Sequence, residues 1–305
     1  MSEPIPLLRQ VIVLLAGLAT AAPLATAAKP EVVLGQIDAR PALWTVRSKT
    51  TTAYLFGSIH VLPPNMHWQT PQIEAALGKS DIFVFEAPLD EQGQTDMQAF
   101  VRAHGTLPPE TSLPSLLNAA ERKDYNDALA ETHIPPETLT HVRPWLAGIM
   151  LEGATLQQSH YSAAGGVDRQ IYVFARSRGK PVASLETIDQ QMNLLMPSDS
   201  RLELKEFDAT LKEMKAGTRE VGALVDAWAH ADVAQVAKIM NSQLDTEPET
   251  RKLFIDDRNQ RWLSTLGPML AGHQTYFITV GTGHLAGARG LPALLRSHGY
   301  AVEGP

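Results

Sequence analysis

The feature that most constrains the fold is a short motif that the chain contains twice. An apolar run ends at a glycine, and a histidine follows three residues later: Gly57 and His60 after Tyr54-Leu-Phe, and Gly281 and His284 after Tyr276-Phe-Ile-Thr-Val. Both runs are rich in β-branched and aromatic residues and too short for a helix, so they predict buried strands. Glycine permits the positive φ or close backbone approach that a sharp strand exit often needs. Because open α/β sheets bind ligands at the carboxyl ends of their strands, the two histidines are expected at one site.

Two further predicted strands end in a carboxylate. Asp81-Ile-Phe-Val-Phe precedes Glu86, and Pro181-Val-Ala-Ser-Leu precedes Glu186. The unbroken apolar run before Glu86 is typical of a strand covered on both faces, as in a parallel sheet. A helix from Thr70 to about Lys79 joins it to the first histidine strand as a βαβ unit. The sequence predicts an α/β fold with a mixed or mostly parallel sheet.

Two long stretches, at about 90–160 and 187–270, have helical patterning, and the second has few turn signals. They predict large helical insertions into one α/β domain that spans residues 28–305. Between them, Gly165-Gly166 opens another helix with Asp168 in its first turn.

Composition excludes several functional classes. The 305 residues are 44% hydrophobic and 19% charged, which is an ordinary globular balance. The net charge of −7 argues against a nucleic-acid surface, and the absence of cysteine excludes thiolate metal sites, cysteine nucleophiles and disulfides. The sequence contains no GxSxG elbow, HExxH helix, P-loop or GxGxxG motif after a strand.

The N-terminus predicts export. Val11–Leu18 is apolar, and Ala25-Thr26-Ala27 has the small-x-small pattern of a signal-peptidase site, so residues 1–27 are interpreted as a cleavable signal peptide. The alternative is an uncleaved membrane anchor, although the apolar run is short for a span. We expect a periplasmic or secreted protein with no membrane span after cleavage.

Histidine and carboxylate at the strand exits are the side chains that a divalent metal site uses when cysteine is absent. His60 and His284 are candidate ligands, and the alternative is that they only form structural hydrogen bonds at turns. Glu86 is a candidate ligand or general base, because apolar neighbours raise a carboxyl pKa; the alternative is a solvent-facing carboxylate. Glu186 has the same two readings, and it also precedes a helix, where negative charge is favourable.

Two arginines are ambiguous from spacing alone. The helical pattern predicts that Arg258 is a solvated charge, although a guanidinium could reach a substrate carbonyl or anchor an active-site carboxylate. Asp257 and Arg261, four residues apart, are predicted to form a surface ion pair. Arg143 stands before Pro144-Trp145, where a helix start and a packed tryptophan explain it without any function.

Taken together, these residues resemble the TraB/GumN family, which includes the Tiki-type metalloproteases and is distantly similar to erythromycin-esterase-like and ChaN-like haem-binding proteins. The resemblance covers about residues 40–303 and depends on these motifs in the family's order: Gly57-Ser-Ile-His60 with Leu62-Pro63, the strand ending in Glu86, Arg143-Pro144-Trp145, Gly166-Val-Asp168, Lys180–Thr187, Arg258-Asn259, and Val280-Gly281-Thr-Gly283-His284-Leu-Ala-Gly287. Asp257 departs from the glutamate that many members have before the Arg-Asn pair.

The resemblance implies an α/β fold with a divalent-metal site at the two glycine-histidine motifs. His60, Glu86 and His284 would form its core, with Glu186 and Arg258 nearby and with Gly57, Gly281, Gly283, Arg143, Asp168 and Asn259 as supporting motif residues. It also implies manganese or cobalt as the metal, with zinc possible, and a peptide or protein as the substrate.

The resulting hypothesis is metal-assisted hydrolysis of a peptide or related amide bond. The metal would activate a water, Glu86 or Glu186 would accept its proton, and Arg258 would stabilise the oxyanion. Two alternatives are a metal- or haem-binding module without turnover, and an interaction scaffold in which the histidines only fix turns. The sequence does not determine the oligomeric state.

Overall fold

The computed structural model describes residues 36–159, 161–197, 199–217, 219–244 and 248–305. The predicted signal peptide lies outside this part of the chain. The strands are β1 (Ile37–Asp38), β2 (Leu43–Arg47), β3 (Thr52–Ser58), β4 (Met66–His67), β5 (Ile82–Phe85), β6 (Val182–Ser184), β7 (Tyr276–Gly281) and β8 (Ala301–Glu303). The α-helices are α1 (Pro71–Lys79), α2 (Glu91–His104), α3 (Leu113–Leu116), α4 (Ala119–Thr132), α5 (Pro136–Leu139), α6 (Pro144–Gln158), α7 (Val167–Ser177), α8 (Ile188–Leu195), α9 (Ser200–Ala216), α10 (Arg219–Ala229), α11 (Val233–Leu244), α12 (Pro248–Arg251), α13 (Asp257–Leu270) and α14 (Leu291–Ser297).

Six strands form one mixed sheet in the order β6-β5-β7-β3-β2-β8. The strands β6, β5, β7 and β3 pair in parallel, whereas β2 and β8 continue the sheet antiparallel to their neighbours. Strands β1 and β4 form a separate parallel pair. The predicted α/β fold with a mixed sheet and large helical segments is confirmed. Consequently the carboxyl ends of four parallel strands lie along one edge, which we call the rim.

The sheet is buried on both faces. Side chains along a strand alternate between faces, so Phe83 and Phe277 pack in one core cluster and Val84 and Ile278 in another. The rings of Phe83 and Phe277 stack at a centroid distance of 5.9 Å. Helix α7 contributes apolar residues to the phenylalanine cluster, and α13 and α14 contribute to the other. The parallel strands therefore sit between two helical layers.

Helix α7 begins directly against the first histidine loop. The backbone N–H of Val167 donates to the carbonyl of Ile59 at 3.0 Å. A Cβ atom at Gly166 would lie only 2.4 Å from the carbonyl oxygen of His60, so this position has no room for a side chain. The glycine thus allows α7 to start beside His60 and to carry Asp168 toward the rim.

A third cluster lies among the helices α4, α6 and α9 and is centred on residues such as Leu151 and Phe207. Glu152, the neighbour of Leu151 on α6, is fully buried, and neither carboxyl oxygen has a hydrogen-bond partner among the described residues. Burial, and secondarily the carboxylate of Glu213, raises the pKa of Glu152 well above its usual range. Burial therefore favours the protonated form of this carboxyl.

None of the helices in the described residues is both long and apolar enough to cross a bilayer.

We predict that Glu152→Gln stabilises the protein increasingly as the pH rises. The folded state keeps a proton that the unfolded chain loses above pH 4.5, so wild-type stability falls with pH until the folded pKa is reached. The difference in free energy of unfolding should grow by about 1.4 kcal/mol per pH unit in this window, and it should be small at pH 4. Urea unfolding of both proteins across the pH range measures it.

Glu131→Gln is the matched control, because it removes an exposed carboxyl from α4. Its stability should follow that of the wild type at every pH. A stability difference for Glu152→Gln that does not change with pH would contradict the buried protonated state.

Candidate active site

The rim brings together four of the residues that the sequence predicts as functional. His60 follows β3, Glu86 follows β5, Glu186 follows β6 and His284 follows β7. The strands are in register there, since Phe85 pairs with Thr279 of β7 and with Ser184 of β6. All four side chains are buried, with relative exposures from 0% to 6%. The prediction that distant parts of the chain converge at one sheet edge is confirmed.

Glu86 lies at the centre of this group. One carboxylate oxygen, Oε1, accepts the backbone N–H of Gly281 at 2.5 Å and lies 3.9 Å from Nε2 of His284. The other oxygen, Oε2, accepts from Arg258 at 2.7 Å and from the amide of Gln191 at 3.4 Å. These donors keep the carboxylate fixed at the end of β5.

Arg258 fills the space between the rim residues. Its Nε donates to both oxygens of Glu186, at 2.9 and 3.2 Å, and its Nη2 donates to Glu186 and to Glu86 at 2.7 Å each. Its Nη1 lies 2.9 Å from Nε2 of His284 and 3.4 Å from the carbonyl of Phe254. The five N–H groups of the guanidinium are therefore all engaged within the protein.

The expectation that Arg258 is a solvated helix charge is wrong, because its side chain is fully buried. The predicted surface pair is also wrong: Asp257 pairs with Lys252, and Arg261 reaches Glu186 at 3.4 Å. A π-helical turn at Lys252–Asp256 immediately precedes α13. Such turns alter which side chains face inward, and they are frequent at functional sites.

The guanidinium supplies the positive charge that two buried glutamates need. Burial alone lowers the pKa of Arg258, but Glu86 and Glu186 outweigh that effect, and the net pKa lies above the usual value. The guanidinium also lies over the ring of Trp262, with its central carbon 4.8 Å from the ring centroid. Arg258 is therefore permanently charged, and it holds the ends of β5 and β6 together.

His284 is held by residues on both sides of its ring. Its Nδ1 lies 2.8 Å from Oδ1 of Asn259, and its Nε2 faces Nη1 of Arg258. Both contacts are satisfied by a neutral ring that donates from Nδ1 and accepts at Nε2. Burial, and then the positive charge of Arg258, lower the pKa of His284 well below its usual range. The amide of Asn259 is fixed in turn by donating to the carbonyl of Arg289 at 3.0 Å.

His60 also has a side-chain oxygen beside its Nδ1, but its ring lacks, within the described part of the chain, the second contact that His284 has. Its Nδ1 lies 3.2 Å from Oδ2 of Asp168, and neither ring nitrogen has a hydrogen-bond partner among the described residues. Burial lowers the pKa of His60, but the carboxylates of Asp168 and Glu86 outweigh it, so the net pKa is raised. A carboxylate beside one imidazole nitrogen orients the ring and leaves the other nitrogen to act.

A cavity of about 30 Å³ lies beside His60. Its polar lining consists of Ser58, His60, Glu86, Asp168, Gln191 and Thr279. Oδ1 of Asp168 and Oγ1 of Thr279 also lack hydrogen-bond partners within the described ranges. Buried polar atoms without partners are costly, so several of them around one cavity indicate a place for a small polar group or ion. Sequence reasoning missed Gln191 and Thr279, which carry no motif of their own.

The donors near His60 fit a divalent cation as they stand, whereas His284 could bind one only after Arg258 moves away from it. His60 and Asp168 have buried lone pairs without partners, which suits nitrogen- and oxygen-preferring metals. The lone pair of His284 at Nε2 instead accepts from a cation, Arg258. Among the residues that the structure describes, no three His, Asp or Glu side chains are close enough together to form a complete metal site.

The predicted motif glycines lie where backbones approach closely. A Cβ atom at Gly57 would be 2.8 Å from Oγ1 of Thr282, and one at Gly283 would be 2.9 Å from Cε of Met240. Neither residue has a positive φ, so close approach, and not an unusual conformation, explains these glycines. Gly281 donates its backbone N–H to Oε1 of Glu86.

Arg143 lies outside the rim. It forms two hydrogen bonds with Glu203, at 2.7 and 3.2 Å, and Glu203 also accepts from the backbone N–H of Trp145 at 3.3 Å. Helix α6 begins at Pro144, and Trp145 is fully buried. The motif Arg143-Pro144-Trp145 therefore joins the starts of α6 and α9.

We predict that Arg143→Met lowers the free energy of unfolding by about 1–3 kcal/mol, because it leaves the buried carboxylate of Glu203 without its charged partner. Urea denaturation measures the loss. Arg102→Met, which removes an exposed arginine from α2, serves as the control and should have little effect. Equal stability of the two variants would contradict a joining role for Arg143.

Comparison with known proteins places these residues in a family. A sequence model described as the TraB/PrgY/gumN family matches residues 42–304, which include every rim residue. The chain is also 24% identical over 250 residues to the uncharacterized protein YbaP of Shigella flexneri, covering 80% of this chain and 88% of that protein. YbaP of Escherichia coli (strain K12) is 24% identical over 249 residues, covering 80% and 87%. This protein therefore belongs to the TraB/PrgY/gumN family.

Proposed function

We propose that this protein is a divalent-metal-dependent hydrolase that cleaves peptide or related amide bonds at the rim. The observation that carries the proposal is the matched setting of the two histidines near Glu86. Each ring has an oxygen from a helix beside its Nδ1, Asp168 for His60 and Asn259 for His284. The Nε2 of His60 has no hydrogen-bond partner among the described residues, and the Nε2 of His284 faces Arg258. This arrangement is usual for metal-binding imidazoles.

His60, Glu86 and His284 would hold the cation. Imidazole and carboxylate donors without thiolate suit manganese, cobalt or zinc, and family resemblance favours the first two. When bound, such a metal lowers the pKa of a water and polarises the carbonyl that is attacked.

Glu86 is better placed than Glu186 to accept a proton during hydrolysis. Glu86 lines the cavity beside His60, whereas the side chain of Glu186 is 1% exposed and receives several hydrogen bonds from Arg258. A general base must reach the proton that it removes, and only Glu86 borders the space where a water fits.

Arg258 positions the side chains of Glu86 and His284. Because its five N–H groups are engaged by protein atoms, none is left for a substrate oxyanion in this arrangement. The oxyanion role expected from the sequence is therefore not part of the proposal. Arg258 donates to Oε2 of Glu86 and so fixes the orientation of this carboxylate beside His284.

The dimensions of the site restrict how a substrate binds. The cavity accepts only a water-sized group, and Leu89, Met97 and Ile188 form part of its wall. A peptide would lie across the rim and present a single bond to the buried residues. On the strength of the N-terminal signal sequence, we propose that residues 28–305 act in the periplasm or after secretion, and the net charge of −7 makes a nucleic-acid substrate unfavourable.

We predict that purified residues 28–305 bind one divalent cation and cleave a peptide library in the presence of Mn²⁺ or Co²⁺. His60→Ala and His284→Ala should each reduce cleavage at least about 100-fold, because each removes a ligand of the metal that activates the water. His230→Ala is the control, since that ring is 71% exposed and lies outside the rim. Bound metal is measured by elemental analysis and cleavage by mass spectrometry.

Wild-type rates in both rim variants would contradict the proposal. Tight metal binding without cleavage would indicate a binding module, and Soret absorbance after addition of haem would identify haem as its ligand. A melting temperature that no metal changes would indicate a scaffold, because a ligand bound only by the native state stabilises that state.

A further inference from the structure

The guanidinium of Arg258 lies between Glu86 and His284. Its Nη2 is 2.7 Å from Oε2 of Glu86, and its Nη1 is 2.9 Å from Nε2 of His284. These acceptor atoms are two of the donors that the proposed function assigns to the metal. A guanidinium and a divalent cation cannot use the same lone pair of His284 at the same time.

We infer that Arg258 is a tethered counter-cation that exchanges with the metal. This inference rests on the proposed function and adds a step to it: metal binding requires that the guanidinium leave His284 and Glu86. In the metal-free protein Arg258 balances the buried carboxylates, so the rim stays assembled. When the cation binds, it takes over the charge compensation of Glu86.

Glu186 is the residue that retains Arg258 during the exchange. The Nε atom of Arg258 donates to Glu186 and makes no contact with Glu86 or His284. Nη2 also donates to Glu186, whereas His284 and Glu86 each have a single contact with the guanidinium. A shift of the whole guanidinium toward Glu186 can therefore release His284 and Glu86 while Glu186 keeps its hold on Arg258. Trp262 beneath the guanidinium adds a cation–π contact that also does not involve the proposed metal ligands.

The exchange has a measurable consequence for affinity. Release of charge-assisted hydrogen bonds to Glu86 and His284 costs free energy, and that cost is subtracted from metal binding. The wild-type site should thus bind metal more weakly than the same ligands would without the arginine. Removal of Arg258 together with its anchor should recover the lost affinity.

The test compares Mn²⁺ binding to wild-type protein and to the double variant Glu186→Gln/Arg258→Met. The double variant removes one positive and one negative charge, so a change in affinity does not reflect a change in net charge. Glu86 then remains as the charged carboxylate of this network, and it keeps its contacts with the N–H of Gly281 and the amide of Gln191. We expect the double variant to bind Mn²⁺ at least tenfold more tightly, as measured by electron paramagnetic resonance of free Mn²⁺.

Arg261→Met is the matched control. It removes a positive charge 3.4 Å from the same carboxylate, Glu186, but leaves the guanidinium of Arg258 in place. Its affinity for Mn²⁺ should stay within threefold of wild type. A folded double variant whose affinity is equal to or weaker than wild type overturns the inference.

The outcomes also separate this inference from the proposed function. Mn²⁺ binding by the double variant but not by wild type supports the tethered cation and overturns metal-dependent hydrolysis by the natural chain. Binding by wild type with no gain in the double variant overturns only the exchange. No binding by either protein overturns both.

A measurement on wild-type protein keeps the inference testable if the double variant does not fold. In protein labelled with ¹⁵N-arginine, the Nε–H signal of Arg258 is assigned by its proximity to the Trp262 ring and is followed during titration with Zn²⁺, which is diamagnetic. We expect this signal to shift and to saturate together with metal binding. A signal that stays unchanged while Zn²⁺ binds overturns the inference.

Discussion

The structure of the rim depends on one buried ion network, in which Arg258 lies between Glu86 and Glu186. Each carboxylate stands at the end of a different strand, and the arginine comes from α13. Without the guanidinium, two negative charges would be buried at the same sheet edge, and breaking a buried pair by removing one partner typically costs about 3–5 kcal/mol. The same guanidinium also contacts His284. It therefore both balances the two carboxylates and helps to lower the pKa of His284.

Each face of the sheet supports one of the two histidines. Helix α7 packs against the phenylalanine face and presents Asp168 to His60, whereas α13 packs against the other face and presents Asn259 to His284. The two supports differ in charge, and the two rings differ accordingly. The carboxylate of Asp168 helps to raise the pKa of His60, and Arg258 helps to lower that of His284. Two copies of one sequence motif therefore give two chemically different imidazoles.

The sequence predicted the four strand-end residues of the site, because short apolar patterns along the chain determine where strands end. Apolar runs that end in a glycine or a carboxylate predicted the strands. Because parallel strands end at the same edge of a sheet, they also predicted that His60, Glu86, Glu186 and His284 lie along one edge. Arg258 was predicted wrongly because helical spacing describes only the helix itself. Its burial depends on partners 72 and 172 residues away, and a π-helical turn precedes it. Neither property can be read from neighbouring residues.

Crystal structures of the mature protein grown without metal and with Mn²⁺, compared by anomalous diffraction, test this account most directly. The account predicts that Arg258 bridges Glu86 and His284 in the metal-free crystal. It also predicts an anomalous peak within bonding distance of His60, Glu86 and His284 in the second crystal, with the guanidinium retained only by Glu186. An ion bound away from these residues, or a guanidinium that still bridges Glu86 and His284 beside a bound ion, would contradict it.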